Sequence, residues 1–252
     1  MNALFYVFMR INQERYMRMF ISVISQKGGS GKTTISLHIA TQLAMRGHNT
    51  LLIDADPQAS AMAWLSCRTA AGHAPIENLT LMANANGTIT EQLPQLAKSY
   101  QFVVIDGPPR GDAITRDVLL ASDIVLIPLQ LAGFDVWAGD SIAKTIEELK
   151  PIQKMAGKAP LDHFYVINKR HPRTNVERVI LKSLKSSSID DVMRTPLLKR
   201  DIGARTAFVD STSQGLTVFE TEPSTSKACW EIEAMTNEIL IIAEQRQQKR
   251  AA

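Results

Sequence analysis

The stretch Gln26-Lys27-Gly28-Gly29-Ser30-Gly31-Lys32-Thr33-Thr34 limits what this chain can fold into more than any other. It lies between the apolar run Met19–Ile24, patterned as a buried strand, and Ile35–Ala44, patterned as a helix. A glycine-rich loop between a strand and a helix can wrap a phosphate. Gly28, Gly29 and Gly31 let the backbone approach the oxygens, and the loop N–H groups collect at the positive end of the helix. In that arrangement Lys32 reaches the β- and γ-phosphates and the Thr33 hydroxyl ligates Mg²⁺, with Ser30 and Thr34 completing the loop.

The general phosphate-loop pattern asks for glycine where Gln26 stands and has no rule for Lys27. Both departures fit Lys-Gly-Gly-x-Gly-Lys-Thr, which resembles the loop of the ParA/MinD family of deviant Walker ATPases. Further strings point the same way. The strand-like Thr50–Asp54 ends in Asp54-Ala55-Asp56-Pro57-Gln58, which looks like the first switch of ParA proteins. By that resemblance Asp56 orients the attacking water and helps hold the Mg²⁺ shell, and Asp54 supports the metal site. The alternative makes both aspartates the cap and turn before a helix starting near Ala59. Phe102-Val103-Val104-Ile105-Asp106 has the Walker B pattern, with Asp106 behind the metal. The following Gly107-Pro108-Pro109 resembles the second switch, and Arg110 is read as a solvent residue, with a γ-phosphate contact as the alternative. Asn168, at the end of the strand-like run from His163, either reads the adenine edge, as in related ATPases, or forms a turn.

The predicted fold class is α/β: a P-loop NTPase three-layer fold with a mostly parallel sheet and helices on both faces. Leu79–Ala83 is expected at the sheet edge, Ile124–Leu129 as a further buried strand, and 91–99 and 135–150 as helices. At 252 residues with no Gly/Ser- or Pro-rich linker, residues 19–246 read as one ATPase domain. Residues 1–18 read as an N-terminal extension without signal-peptide features, and 247–252 as a basic tail. The final apolar stripe, Trp230, Ile232, Met235, Ile239, Leu240, Ile242 and Ala243, is expected to pack on the sheet. Cys67 and Cys229 lack any ligand spacing, which suits a reducing cytoplasm rather than structural zinc.

Charge is unevenly distributed along the chain. Residues 167–205 hold ten basic and four acidic side chains, and 206–246 hold two basic and seven acidic. A one-sided basic region is the footprint of phosphate-backbone binding, with Arg170, Arg173, Lys199, Arg200 and Arg205 as candidates; solvated helix faces are the competing account. No aromatic residue interleaves the run, which argues against single-strand stacking.

The resemblance, closest to short ParF-like partition proteins, implies an Mg·ATP-dependent sandwich dimer in which Lys27 crosses to the partner's phosphates. It further implies slow hydrolysis stimulated by a ParB-like centromere-binding protein, non-specific DNA binding, and a cytoplasmic, nucleoid-associated location. A MinD-like membrane-associated positioning ATPase and a phosphoryl-transferring biosynthetic enzyme on the same loop are the alternatives. Stable membrane association is not expected, because the basic tail lacks bulky hydrophobic residues.

Overall fold

The computed structural model describes residues 18–86, 88–109, 113–131, 135–171 and 195–251. Six strands, β1 Met19–Val23, β2 Thr50–Asp54, β3 Leu79–Ala83, β4 Phe102–Asp106, β5 Ile124–Leu129 and β6 Asp162–Ile167, form one parallel sheet ordered β3-β2-β4-β1-β5-β6. β2, β4 and β5 are buried along their whole length, as continuous apolar runs in a sheet covered on both faces must be. β3 is partly exposed and takes the edge predicted for it.

Eight helices are described: α1 Lys32–Met45, α2 Ser60–Ala70, α3 Ile89–Ser99, α4 Ala113–Ala121, α5 Asp135–Met155, α6 Thr206–Ser213, α7 Val218–Thr221 and α8 Lys227–Ala251. They cover both faces. Ile21, Val23, Leu52 and Val104 pack with α1, α2, α6 and α8, while Ile53, Val103, Ile105 and Val125 point the other way, toward α3, α4 and α5. α1 is buried on most of its surface because it lies between sheet and α8; Ile35, Leu37, Ile39, Ala40, Leu43 and Ala44 are all 1% exposed or less.

One expectation about the C-terminal segment changes. Ile232, Met235, Ile239 and Ala243 form the buried face of α8, but Trp230 is 52% exposed and carries the Arg200 guanidinium over its ring, 5.2 Å from the centroid. At 100° per residue, position 230 lies well away from the face shared by 232, 235 and 239. The helix also runs on through the basic residues after Arg246 to Ala251.

Several side chains fix the helices in place. Asp117 of α4 caps α3 by accepting from the Ile89 N–H at 2.7 Å and the Thr90 N–H at 3.2 Å. Replacing Asp117 with alanine is expected to lower the unfolding free energy by about 2 kcal/mol, read from urea denaturation. At the α6–α7 corner Gly215 has φ +71, and a Cβ there would collide with the Arg68 backbone. The close approach lets Trp64 Nε1 donate to the Leu216 carbonyl at 3.0 Å and lets Arg68 pair with Glu220 at 2.8 Å. His38 of α1 lies against Thr34 O, 2.7 Å from Nδ1, and its Nε2 accepts from the Val218 N–H at 3.2 Å. Burial lowers its pKa to about 4, so the ring is neutral and can accept that bond.

Candidate nucleotide site

The glycine-rich loop leaves the carboxyl end of β1 and enters α1 at Gly31, whose φ is +92. Gly31 offers no capping side chain, so the first turn of α1 presents its N–H groups to a ligand anion. The loop opens onto a cavity of about 690 Å³ whose walls include Lys32, Thr33, Asp56, Pro109 and Lys169. This is the crevice at the carboxyl ends of the strands where open α/β sheets bind ligands.

The predicted residues converge here, with different duties. Thr33 donates its hydroxyl hydrogen to Asp106 Oδ2 at 2.6 Å, and Ser36 donates to Oδ1 at 3.3 Å. Holding the Thr33 hydrogen this way leaves that oxygen's lone pairs available to a cation. Lys32 is buried, with its ammonium 4.0 Å from Asp56. Asp106 is fully buried, and burial is the main reason its pKa rises to about 7. The Thr33 hydrogen bond and Lys32 oppose that rise, while Asp54 and Asp56 add to it. A buried carboxylate raised this far is a site that favours a cation.

Asp54 and Asp106 face each other in register at the ends of β2 and β4. Asp54, expected to support a metal, commits Oδ2 to the Ala61 and Met62 N–H groups and Oδ1 to the Asp56 N–H. The bonds from Ala61 and Met62 satisfy the first turn of α2, in keeping with one of the two roles the sequence left open, and burial raises the Asp54 pKa as well. Asp56 accepts from the Gln58 N–H at 2.9 Å and still lines the cavity. Thr33, Asp56 and, behind Thr33, Asp106 are hard oxygen donors of the kind Mg²⁺ takes when phosphates and water supply the rest of its shell.

Lys27 is exposed and is not among the residues lining its own chain's cavity, whereas Lys32 is. The loop's underside is braced from other elements. Asn168 donates to the Ser30 carbonyl at 2.7 Å and lies where a Cβ on Gly31 would have to go. Its amide nitrogen is therefore engaged by the loop, a contact neither sequence reading anticipated. Gln26 Nε2 donates to Ser141 Oγ on α5.

The basic region looks different in three dimensions. Arg170 pairs with Asp201, and Arg205 forks onto Glu231, with Nε at 2.8 Å. The Lys199 backbone N–H donates to Glu238 at 2.9 Å. Glu231 and Glu238 of α8 thus pack on the basic loop at 199–205, and two of the five candidate DNA contacts are spent within the fold. Lys199 and Arg200 are exposed; Arg173 and Arg110 lie outside the described residues. The exposed Trp230 under Arg200 also places an aromatic ring beside the basic loop, which the linear sequence did not reveal.

Among known proteins, the family model described as the CobQ/CobB/MinD/ParA nucleotide binding domain matches residues 21–218. The maintenance of carboxysome distribution protein A of Halothiobacillus neapolitanus is 28% identical over 87% of this chain and 95% of its own length. The sporulation initiation inhibitor protein Soj of Bacillus subtilis is 25% identical over 71% of this chain and 83% of its own. A match to the putative replication protein A of Rhizobium rhizogenes, at 28% over 80% of this chain, spans 61% of that protein. Among solved structures, the ATP complex of a Cyanothece McdA variant superposes with a TM-score of 0.70 at 15% identity, covering 89% of this chain and 97% of the other. An AMPPNP-bound putative plasmid partition protein from Borrelia burgdorferi gives 0.68 at 19%, covering 88% and 98%. These likenesses identify the P-loop NTPase fold.

Proposed function

This chain belongs to the CobQ/CobB/MinD/ParA nucleotide-binding family, and from that premise we propose that it is a partition-type ATPase that positions DNA or another large cargo. It is a P-loop ATPase using ATP and Mg²⁺. One observation carries the chemistry: Lys32, Thr33, Asp56 and Asp106 meet at the mouth of an uncapped helix N-terminus. Lys32 and the loop N–H groups hold the β- and γ-phosphates, Asp56 orients the attacking water, and Asp106 fixes the Thr33 hydroxyl. Mg²⁺, when bound through Thr33 and Asp56, neutralises charge on the phosphates.

In our reading ATP joins two copies face to face. Lys27, exposed on the rim, enters the partner's cavity and supplies the cation that hydrolysis requires. The dimer binds DNA without sequence preference through Lys199, Arg200 and the basic residues of the 172–194 segment, Arg173 among them, which associates it with the nucleoid. A ParB-like protein, or an adaptor on another cargo, triggers hydrolysis and release. Asn168 braces the loop and offers its remaining amide oxygen to the adenine amino group. The likeness to the carboxysome distribution protein supports a cargo other than a replicon as the second reading.

The test is a DNA-binding titration with ATP, ADP and no nucleotide across a salt series. Tight binding only with ATP, weakening steeply with salt, is expected; binding indifferent to nucleotide ends the proposal. Charge reversal at Lys199 and Arg200 together is expected to flatten the log–log salt slope by about 2. Arg205→Ala is expected to leave the slope alone and cost about 2–3 kcal/mol of stability, because Glu231 stays buried without its cation.

A further inference from the structure

A phosphate-binding loop must turn its carbonyl oxygens away from the anion, since each carries negative partial charge into the site. Here Gly29 and Gly31, both at positive φ, flank Ser30. The Ser30 hydroxyl is buried and has no hydrogen-bond partner among the described residues, so the side chain of the loop's own serine does not hold its shape there. The Gly29 carbonyl is held from outside by two donors, Gln130 Nε2 at 3.0 Å from the end of β5 and Lys169 Nζ at 2.8 Å from the end of β6.

Lys169 holds this place in spite of its backbone. Its φ is +53, a left-handed conformation that disfavours any side chain and that glycine adopts freely. Its side chain is exposed to the cavity mouth rather than packed in the core, so burial gives no reason for a lysine at this position. Its chemical contribution is a charged donor on a loop carbonyl, a bond roughly twice as strong as a neutral one.

We propose that Lys169, with Gln130, is a positioning residue for the phosphates of the bound nucleotide. It acts through the Gly29 carbonyl and keeps the loop in its anion-accepting form before the ligand arrives. The inference rests on the nucleotide-binding reading above. Preorganisation of this kind changes affinity for any phosphate chain in the loop, so ATP and ADP are affected alike, and turnover at saturation is not.

The left-handed backbone supplies the control. Lys169→Gly removes the ammonium and relieves the strain together. Its melting temperature without nucleotide is expected to equal or exceed wild type, while the Kd values for Mg·ATP and Mg·ADP, measured with fluorescent analogues, rise about tenfold. Lys169→Arg, which keeps a charged donor, is expected to stay within about threefold of wild type, and Gln130→Ala to fall between the two. Unchanged Kd values in Lys169→Gly overturn the proposal. So does a parallel loss of melting temperature and affinity, which marks a scaffold residue, or failure of arginine to restore binding. A wild-type protein that binds neither nucleotide sinks the underlying reading, a result distinguishable from all of these.

Discussion

Lys32→Ala is expected to abolish ATP binding, raising Kd by at least about 100-fold, whereas Lys27→Ala is expected to bind ATP within about threefold of wild type and lose turnover on the order of 10³-fold. The contrast follows from where the two ammonium groups sit. Lys32 is buried against the phosphate loop, 4.0 Å from Asp56, with Asp106 behind it. Removing it takes away the cation for the phosphates and leaves a cluster of carboxylates that repels them. Lys27 is exposed and outside the lining of its own cavity, so its loss leaves Lys32, the cation that cavity offers the phosphates, in place. A fluorescent-nucleotide titration and a phosphate-release assay separate the two. Normal turnover by the Lys27 variant would remove the shared-site mechanism, and mixing it with a Lys32 variant is expected to leave hydrolysis undetectable in either pure population and small in the mixture.

Asp106→Asn is expected to make the nucleotide-free protein more stable at pH 8, by up to about 4 kcal/mol, while stopping hydrolysis. In the fold Asp106 ionises at about pH 7, against 3.8 for an ordinary aspartate, chiefly because it is buried. Between those values the unfolded chain has released a proton that the folded chain retains, so this group's contribution falls as pH rises and is at its worst above 7. His38 works in the other direction. Its pKa is about 4 in the fold against 6.5, so its contribution is complete above 6.5 and is lost as pH falls toward 4. Asparagine at 106 removes the first dependence and leaves the second, together with the fall toward alkali that Asp54 contributes, so the variant's loss of stability with rising pH is expected to be smaller than wild type's while its loss toward acid is kept. Urea unfolding at pH 5, 6.5 and 8 reads this directly. A variant less stable than wild type at pH 8 would mean that the carboxylate is not held there at a cost. Such a cost is what a buried cation site asks of its scaffold.

The sequence already marked the strands that carry the site, because continuous apolar runs closed by Asp54 and Asp106 can only be buried strands pointing acids at a crevice. It did not mark α6, whose Thr-Ala-Phe-Val-Asp-Ser-Thr-Ser has weak helical propensity and is held by burial of Phe208 against His38. The loop clamp was also hidden. Gln130 and Lys169 are 101 and 140 residues from Gly29 and bond to its backbone, which carries no side-chain code. Charge was legible as two opposed runs, but not that one would pack on the other, because pairing such as Arg205 with Glu231 is decided by tertiary contact. Asp54 shows the same limit from another side: an aspartate after a strand can cap a helix or support a metal site, and only the fold shows the Ala61 and Met62 amides donating to it.

The helix that starts at the phosphate loop is buried from Ile35 to Ala44 except at Gln42. α1 lies beneath α8 and on the sheet, with His38 fastening it to α7. Its backbone amides from Ile35 onward are therefore expected to exchange with deuterium only when the whole domain opens, and more slowly still once bound nucleotide stabilises the fold. Motion linked to nucleotide is then expected in the segments after β2 and β4, while the body of this helix stays as still as a bench vice.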